Sequence, residues 1–286
     1  MNQAAYDPTT YKENQRREWN AVAAGWKKWW EWFELRAQHV SDRLIDMGNV
    51  QPGQNVLDVA TGIGEPAVTA AHKVGPRGRV IATDQAPGML EIAVERKAEL
   101  GLENLEFKLI DAEELGFPDE SFDTVLCRWG LMFLADLPST LTQIRLVLRR
   151  EGRFATSIWG VPEKTPGLSM AMGVMKKMIR PPTPPEDAPS TYKLSPPGVL
   201  EMAFTQAGFS NVIAETHQVD FAFESVDEYI RFLKDVAAGL KAMLANETED
   251  RRAEAWQAVA AGAGAFTDGH GAVSMPSETI LVVGEK

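Results

Sequence analysis

The sequence predicts an α/β protein with a doubly wound, mostly parallel, seven-stranded sheet. Three observations predict it. Short apolar runs alternate with helical stretches of 9 to 14 residues from Gln54 to Trp159, the pattern of parallel strands with helices on both faces. Right-handed crossovers wind such a chain onto both sides of its sheet. The first apolar run opens into a Gly-x-Gly turn and then a helix, the usual mouth of a ligand crevice in sheets of this kind.

The elements follow in order. Tyr11 to Met47 reads as a helix, with no Pro and a single Gly, Gly25. Five of the eight tryptophans lie in the first 32 residues, and Trp26, Trp29 and Trp30 share one helix face. That stripe is either core packing or a lid over a ligand pocket. Asn55–Ala60 is the first strand. Pro66–Val74 is a helix, with Pro66 placed for its first turn. Arg79–Thr83 is the second strand, and Pro87–Leu100 is a helix closed by Gly101. Strands at Leu105–Ile110 and Ser121–Cys127, a helix at Leu137–Leu148 and a strand at Arg153–Trp159 complete the alternation.

After Gly160 the pattern breaks at Pro162, Pro166, Pro181, Pro182, Pro184, Pro185 and Pro189, around a Met-bearing stretch, Leu168–Ile179. It resumes with helix Pro197–Ala207, strand Val212–Phe221, helices Val226–Ala245 and Glu249–Ala263, and strand Thr279–Val283. This divides the chain into an N-terminal helical cap (1–50), a ligand-binding core (51–160) and a region of helical insertions plus the last strands (161–286).

Composition narrows the function. The chain has 286 residues, 44% hydrophobic and 24% charged, an ordinary globular balance. With 29 Lys+Arg against 40 Asp+Glu, its formal charge is −11. An acidic chain without a basic run binds phosphate backbones poorly, so nucleic acid is not an expected partner. One cysteine, Cys127, excludes an internal disulfide and a Cys-based zinc site; it reads as a buried small hydrophobe. The four histidines, His39, His72, His217 and His270, show no metal-ligand spacing, and no metal is expected. No run of 18 apolar residues and no apolar N-terminal core occur, so a cytoplasmic protein without a membrane span is expected.

The informative segment is Val56-Leu57-Asp58-Val59-Ala60-Thr61-Gly62-Ile63-Gly64-Glu65-Pro66-Ala67. Glycine permits the tight turn and lets a ligand approach the backbone, and a helix N-terminus offers amide dipoles. Asp84, twenty residues past Gly64, follows the second strand, where an acid accepts hydrogen bonds from ribose hydroxyls. These features point to an adenosine ligand. A nicotinamide cofactor carries a pyrophosphate, whereas here the third glycine position is Ala67, Pro66 deletes an amide, and Asp58 precedes the turn. A carboxylate there repels a pyrophosphate and suits an ammonium group. S-adenosyl-L-methionine has an ammonium, a sulfonium and no phosphate.

From these residues the sequence resembles the class I S-adenosylmethionine-dependent methyltransferases, of the type related to ubiquinone/menaquinone C-methyltransferases. The likeness runs from about Trp19 to Trp159. It is carried by the segment above, by Ala82-Thr83-Asp84-Gln85-Ala86-Pro87-Gly88-Met89-Leu90, by Ile110-Asp111-Ala112-Glu113, by Phe117-Pro118-Asp119-Glu120-Ser121-Phe122-Asp123 and by Cys127-Arg128-Trp129-Gly130-Leu131-Met132-Phe133.

The resemblance implies a Rossmann-like fold and a role for each matching position. Ala60, Thr61, Gly62 and Gly64 would pass along the methionine part and ribose, with Asp58 setting the ammonium end. Asp84 would take the ribose hydroxyls, with Gln85 beside the adenine and Met89 packing nearby. Asp111, Ala112 and Glu113 would border the adenine, although Asp111 can also simply cap the turn before Leu115. Arg128 would stand at the boundary of cofactor and acceptor. Trp26 is expected over the cofactor, and Trp29, Trp30, Trp129, Met132 and Phe133 around the acceptor. Two positions depart from the family pattern: Arg150-Glu151-Gly152 replaces Pro-Gly-Gly, and Gln85 replaces a small hydroxyl residue.

The expected activity is methyl transfer to a small, largely apolar acceptor by direct displacement. No catalytic base is assigned; an enolate or thiolate acceptor needs little or none. The rivals are a nicotinamide-dependent oxidoreductase, a non-catalytic S-adenosylmethionine-binding protein and a macromolecule methyltransferase. The absence of an Asn-Pro-Pro-Tyr type tetrapeptide counts against nucleobases for the last. The acceptor, the atom methylated and the oligomeric state are not legible in the chain.

Overall fold

The computed structural model describes residues 6–185 and 187–286. The chain forms two compact units. The first comprises Met1–Arg36, Gly160–Ala188 and Gln218–Glu278; the second comprises Ala37–Trp159, Pro189–His217 and Thr279–Lys286.

The sheet has seven strands: β1 (Asn55–Val59), β2 (Arg79–Asp84), β3 (Leu105–Leu109), β4 (Phe122–Arg128), β5 (Leu148–Trp159), β6 (Ser210–Phe223) and β7 (Val273–Glu285). Their order is β3-β2-β1-β4-β5-β7-β6. The pairs among β1 to β5 are parallel and β7 runs antiparallel to β5. The sheet is therefore mixed and mostly parallel, as the alternating pattern predicts.

Its central strands are buried on both faces, which is why they read as continuous apolar runs rather than as an alternation. Val56, Leu57, Val59, Val80, Ala82, Val125, Leu126, Phe154, Ala155 and Ile158 are all fully buried. Three helices, α2 (Ala67–Val74), α3 (Pro87–Leu100) and α4 (Leu137–Val147), connect the parallel strands. Pro66 stands at the N-cap of α2 rather than inside its first turn. Gly101, in the left-handed conformation, closes α3. The strand order reverses between β1 and β4, so the carboxyl ends of these two strands flank the topological switch point, where such sheets bind ligands.

The long first helix, α1, covers Pro8–Met47. In the second unit its last turns are tied to the sheet: Thr124 Oγ1 donates to the Gly48 carbonyl at 3.0 Å, and Arg43 forms a bidentate pair with Glu215 of β6, at 2.6 and 2.8 Å. That pair, with His217 alongside, holds the Glu215 carboxyl down at about 2.

The first unit contains α5 (Pro166–Ile179), α7 (Val226–Val236), α8 (Ala238–Leu244) and α9 (Glu249–Ala263), while α6 (Val199–Gln206) lies in the second. Two expectations are corrected. Val226–Ala245 is not one helix: the chain breaks at Ala237, with φ −85° and ψ 84°, two residues before Gly239. The last strand begins at Val273, six residues before the expected Thr279. The departure at Arg150-Glu151-Gly152 is absorbed inside β5, with Glu151 at a φ of 63°.

Candidate cofactor site

The site starts where β1 ends. Ala60 and Gly62 both adopt left-handed backbone, with φ of 56° and 57°. A Cβ built on Gly62 would meet no atom within 4 Å, so the turn presents bare backbone to open space. The turn's amides are engaged within the protein. Thr61 N donates to the Thr83 carbonyl at 2.9 Å and Gly64 N to the Thr61 carbonyl at 3.0 Å. Gly62 N donates to Asp84 Oδ2 at 2.8 Å. At the start of α2, Ala67 N donates to Asp58 Oδ2 at 3.1 Å.

This arrangement decides between ligands. A helix N-terminus that binds phosphate keeps its amides open to the anion. Here the Ala67 amide already donates to the protein's own acid, so it is not open to a pyrophosphate. The amide dipoles expected to serve the ligand instead fix the two acids. Asp58 is completely buried, and burial pushes its carboxyl up to about 8, although the Arg128 cation pulls the other way. Among the described residues, no well-formed hydrogen bond reaches its Oδ1 or the buried Thr61 Oγ1, although the Thr61 hydroxyl lies close enough to pull the Asp58 carboxyl down, more than Arg128 does. Buried polar atoms of this kind require a hydrogen-bond partner, and a ligand ammonium supplies donors for both. The residues therefore fit S-adenosyl-L-methionine.

Asp84, at the end of β2, accepts from Gly62 N through Oδ2 and from Ala86 N through Oδ1, each at 2.8 Å. A carboxylate has about four lone-pair sites, so capacity remains for two ribose hydroxyls. Desolvation raises this carboxyl above its usual range, and the amides of Ala86, Gly62 and Gln85 oppose the rise. Gln85 follows half-buried, and Met89 on α3 is 3% exposed.

After β3, Asp111 Oδ1 accepts from Glu113 N at 2.9 Å, the local turn that the capping alternative described. Ala112 is buried within that turn. Glu113 reaches across to the Ala135 amide at 2.6 Å, and its carbonyl accepts from Gln143 at 2.7 Å. The Glu113 carboxylate thus braces the loop after β4.

At the end of β4, Arg128 Nη1 donates to Ser41 Oγ at 2.9 Å, and its guanidinium lies 5.0 Å from the Trp129 ring centre. Trp129 has a φ of 57°, an outlier for a bulky residue that costs on the order of 1–3 kcal/mol. The surroundings hold it there. Its indole N–H donates to Thr279 Oγ1 at 2.9 Å, and its ring stacks on Trp159 at 4.5 Å and 6°. Nearby, Met132 is 2% exposed, a core residue, while Phe133 is half-buried. Cys127 is completely buried and its thiol is pushed up to about 12, as expected of an inert hydrophobe.

The other expected residues belong to the first unit. Trp29 is 8% exposed; its N–H donates to Asp235 at 2.8 Å and its ring meets Phe232 edge-on at 5.4 Å. Packing within that unit accounts for it. Trp26 is edge-on to Phe33 at 5.1 Å. Its buried indole nitrogen has no hydrogen-bond partner among the described residues. Trp30 is half-buried. The centre of the aromatic cluster is Trp32, which the helix-face reading passes over. It stacks on Phe223 at 4.4 Å beneath the Arg36 guanidinium, 4.0 Å away. Ser41, Thr279 and Trp159 also escape sequence reading, because their partners are far away in the chain and no motif marks them.

Among the described residues, no group of His, Cys, Asp and Glu is arranged to hold a metal ion, and no helix is long and apolar enough to cross a membrane.

Comparison with known proteins agrees with this geometry. Residues 51–180 match the methyltransferase domain family. Aklanonic acid methyltransferase DauC of Streptomyces sp. (strain C5) is 40% identical over 40% of this chain and 51% of its own. The chain thus spans about half the length of that relative. A demethylmenaquinone methyltransferase of Listeria monocytogenes is 32% identical over 59% of this chain and 75% of its own. The crystal structure of the YcgJ protein from Bacillus subtilis has the same fold, with a TM-score of 0.55 at 21% identity over 87% of this chain and 98% of that one. With matched motifs, a shared fold and relatives of this identity, the chain belongs to the class I S-adenosylmethionine-dependent methyltransferase family.

Proposed function

We propose that this protein moves a methyl group from S-adenosyl-L-methionine to a small, largely apolar acceptor by direct displacement. The observation that carries the proposal is the buried Asp58 of β1, on the strand that leads into a glycine turn with open space at Gly62, the amide of which is held by Asp84 at the end of the next strand. When bound, the cofactor supplies an electrophilic methyl on a sulfonium. The chain's own residues do the rest. Asp58 and Thr61 hold the ammonium end, Asp84 holds the ribose, and Gly62 lets the ligand lie against backbone. Asp111, Ala112 and Glu113 border the base, with Gln85 and Met89 beside them. Fixing both reactants in line contributes much of the acceleration.

Arg128, Trp129 and Phe133 are the proposed groups on the acceptor side, with Met132 behind them. Trp129 is fixed by its stack and hydrogen bond, so it offers a rigid surface at low entropic cost. In the first unit, Trp26 is proposed as a cofactor-facing group and Trp29 and Trp30 as acceptor-facing groups. The acceptors named for the relatives, aklanonic acid and demethylmenaquinone, support a small-molecule acceptor. The charge of −11 supports an enzyme that does not act on nucleic acid.

The test is incubation with S-adenosyl-L-methionine and pooled metabolites, read as a one-methyl mass gain in an acceptor with release of S-adenosylhomocysteine. Measurable affinity for a nicotinamide cofactor, with none for S-adenosylhomocysteine, overturns the reading.

A further inference from the structure

A cation that no motif marks sits beneath the glycine turn. Arg96 lies on α3 and is only 5% exposed. Burying a guanidinium is costly unless its donors are engaged. Its Nη1 donates to the Ile63 carbonyl at 2.6 Å, and Ile63 is the residue between Gly62 and Gly64. Its Nη2 stands 3.8 Å from the carboxylate of Glu65, on the far side of the same turn. Glu65 in turn accepts from the Thr69 hydroxyl on α2 at 2.7 Å, and Thr69 accepts from Gln38 on α1 at 2.9 Å. A polar chain, buried at Arg96 and Glu65 and half-buried at Thr69 and Gln38, thus runs from α3 through the turn to α2 and α1, within the second unit.

A Gly-x-Gly turn has wide backbone freedom, and a ligand that needs one shape must bear the entropy of selecting it. Clamping the central carbonyl fixes the Ile63–Gly64 peptide plane before the ligand arrives. Preorganisation of this kind raises affinity without any contact to the ligand.

We propose that Arg96 is a positioning residue for cofactor binding: it holds the Gly62-Ile63-Gly64 turn in its ligand-ready shape through the Ile63 carbonyl, with Glu65 as its counter-ion. The proposal rests on the reading that this turn seats the cofactor.

The test uses the full chain and S-adenosylhomocysteine as the probe, by calorimetry well below the unfolding transition. Arg96→Leu alone would strand the Glu65 charge, so the informative variant is Arg96→Leu with Glu65→Leu. Replacing both members of a buried pair by apolar groups is often neutral for stability. The expected result is a folded protein whose Kd for S-adenosylhomocysteine rises about tenfold or more, the size of losing one hydrogen bond to a charged group. Arg96→Lys keeps the charge but cannot serve Ile63 and Glu65 together, and should fall between the double variant and wild type. A folded double variant with wild-type affinity overturns the proposal. If the double variant does not fold, Arg96→Lys decides, and wild-type affinity in that folded variant overturns it equally. Gly62→Val separates the two readings. If it binds normally, the turn is not the cofactor seat and both fail; if it loses binding while the Arg96 variants keep theirs, the positioning role alone fails.

Discussion

The carboxylate of Asp84 accepts a hydrogen bond from the backbone amide of Gly62 at 2.8 Å. The acid assigned to the ribose is therefore also the strut that holds the glycine turn against β2. On the proposed reading, one residue both shapes the site and holds the ribose, so its removal should act twice.

Asp84→Ala should weaken S-adenosylhomocysteine binding by about tenfold or more, from the loss of bonds worth about 1.5–3 kcal/mol each to a charged acceptor. It should also lower the melting temperature, because the Gly62 and Ala86 amides lose their acceptor. Asp84→Asn keeps one acceptor oxygen and should retain more stability than affinity. Calorimetry and thermal unfolding on the two variants check the order.

Asp58 should make ligand binding pH-dependent. Its folded pKa of about 8 lies above the ordinary 3.8. The protonated form is thus favoured in the folded, ligand-free protein. The stability this contributes is complete below the ordinary value and is lost as pH rises through about 8. A bound ammonium favours the ionised form, so binding near neutral pH should release a proton. Calorimetry in buffers of different ionisation enthalpy should show that release. Asp58→Asn should abolish the buffer dependence and cost affinity; an unchanged proton release in that variant would assign it to another group.

Gly62 tests the open face of the turn. Alanine in left-handed backbone costs roughly 1–2 kcal/mol, while its methyl group would meet no protein atom within 4 Å. Gly62→Ala should unfold at a slightly lower temperature and lose far more in cofactor binding, since the methyl group occupies ligand space. Equal losses in stability and in binding free energy would mean that strain is the whole effect.

Gly25 tests the first unit. A Cβ there would lie 2.1 Å from the Asp235 carbonyl oxygen, so α1 and α7 approach at this glycine. Helix propensity alone predicts that Gly25→Ala stabilises by about 1 kcal/mol. Overpacking predicts a net loss of about 1–3 kcal/mol. Denaturant titration reads the sign, and a stabilised variant would refute the close approach.

The sequence by itself determined what depends on local chemistry. Apolar runs between helical stretches mark β1, β2, β4 and the second half of β5, because a parallel strand buried on both faces must be apolar; the edge strand β3 alternates apolar and charged residues instead. The turn at Gly62, the acid at Asp58 and the acid at Asp84 are legible because one strand–turn–helix unit and the strand after it supply them. Their chemistry selects an ammonium ligand over a pyrophosphate. Tertiary structure decided what depends on partners distant in the chain. The break at Ala237 is only weakly marked, since its one local signal is Gly239, and a single glycine within a helical pattern does not by itself end a helix. Trp29 reads equally as lid or core until Asp235 takes its N–H, 206 residues away. Arg96 reads as one more charge on a surface helix until α3 packs against the turn and places its guanidinium on the Ile63 carbonyl. Spacing along the chain fixes which side chains share a strand or a helix face. It does not fix which buried donor meets which acceptor, because only packing removes the water that would otherwise satisfy both.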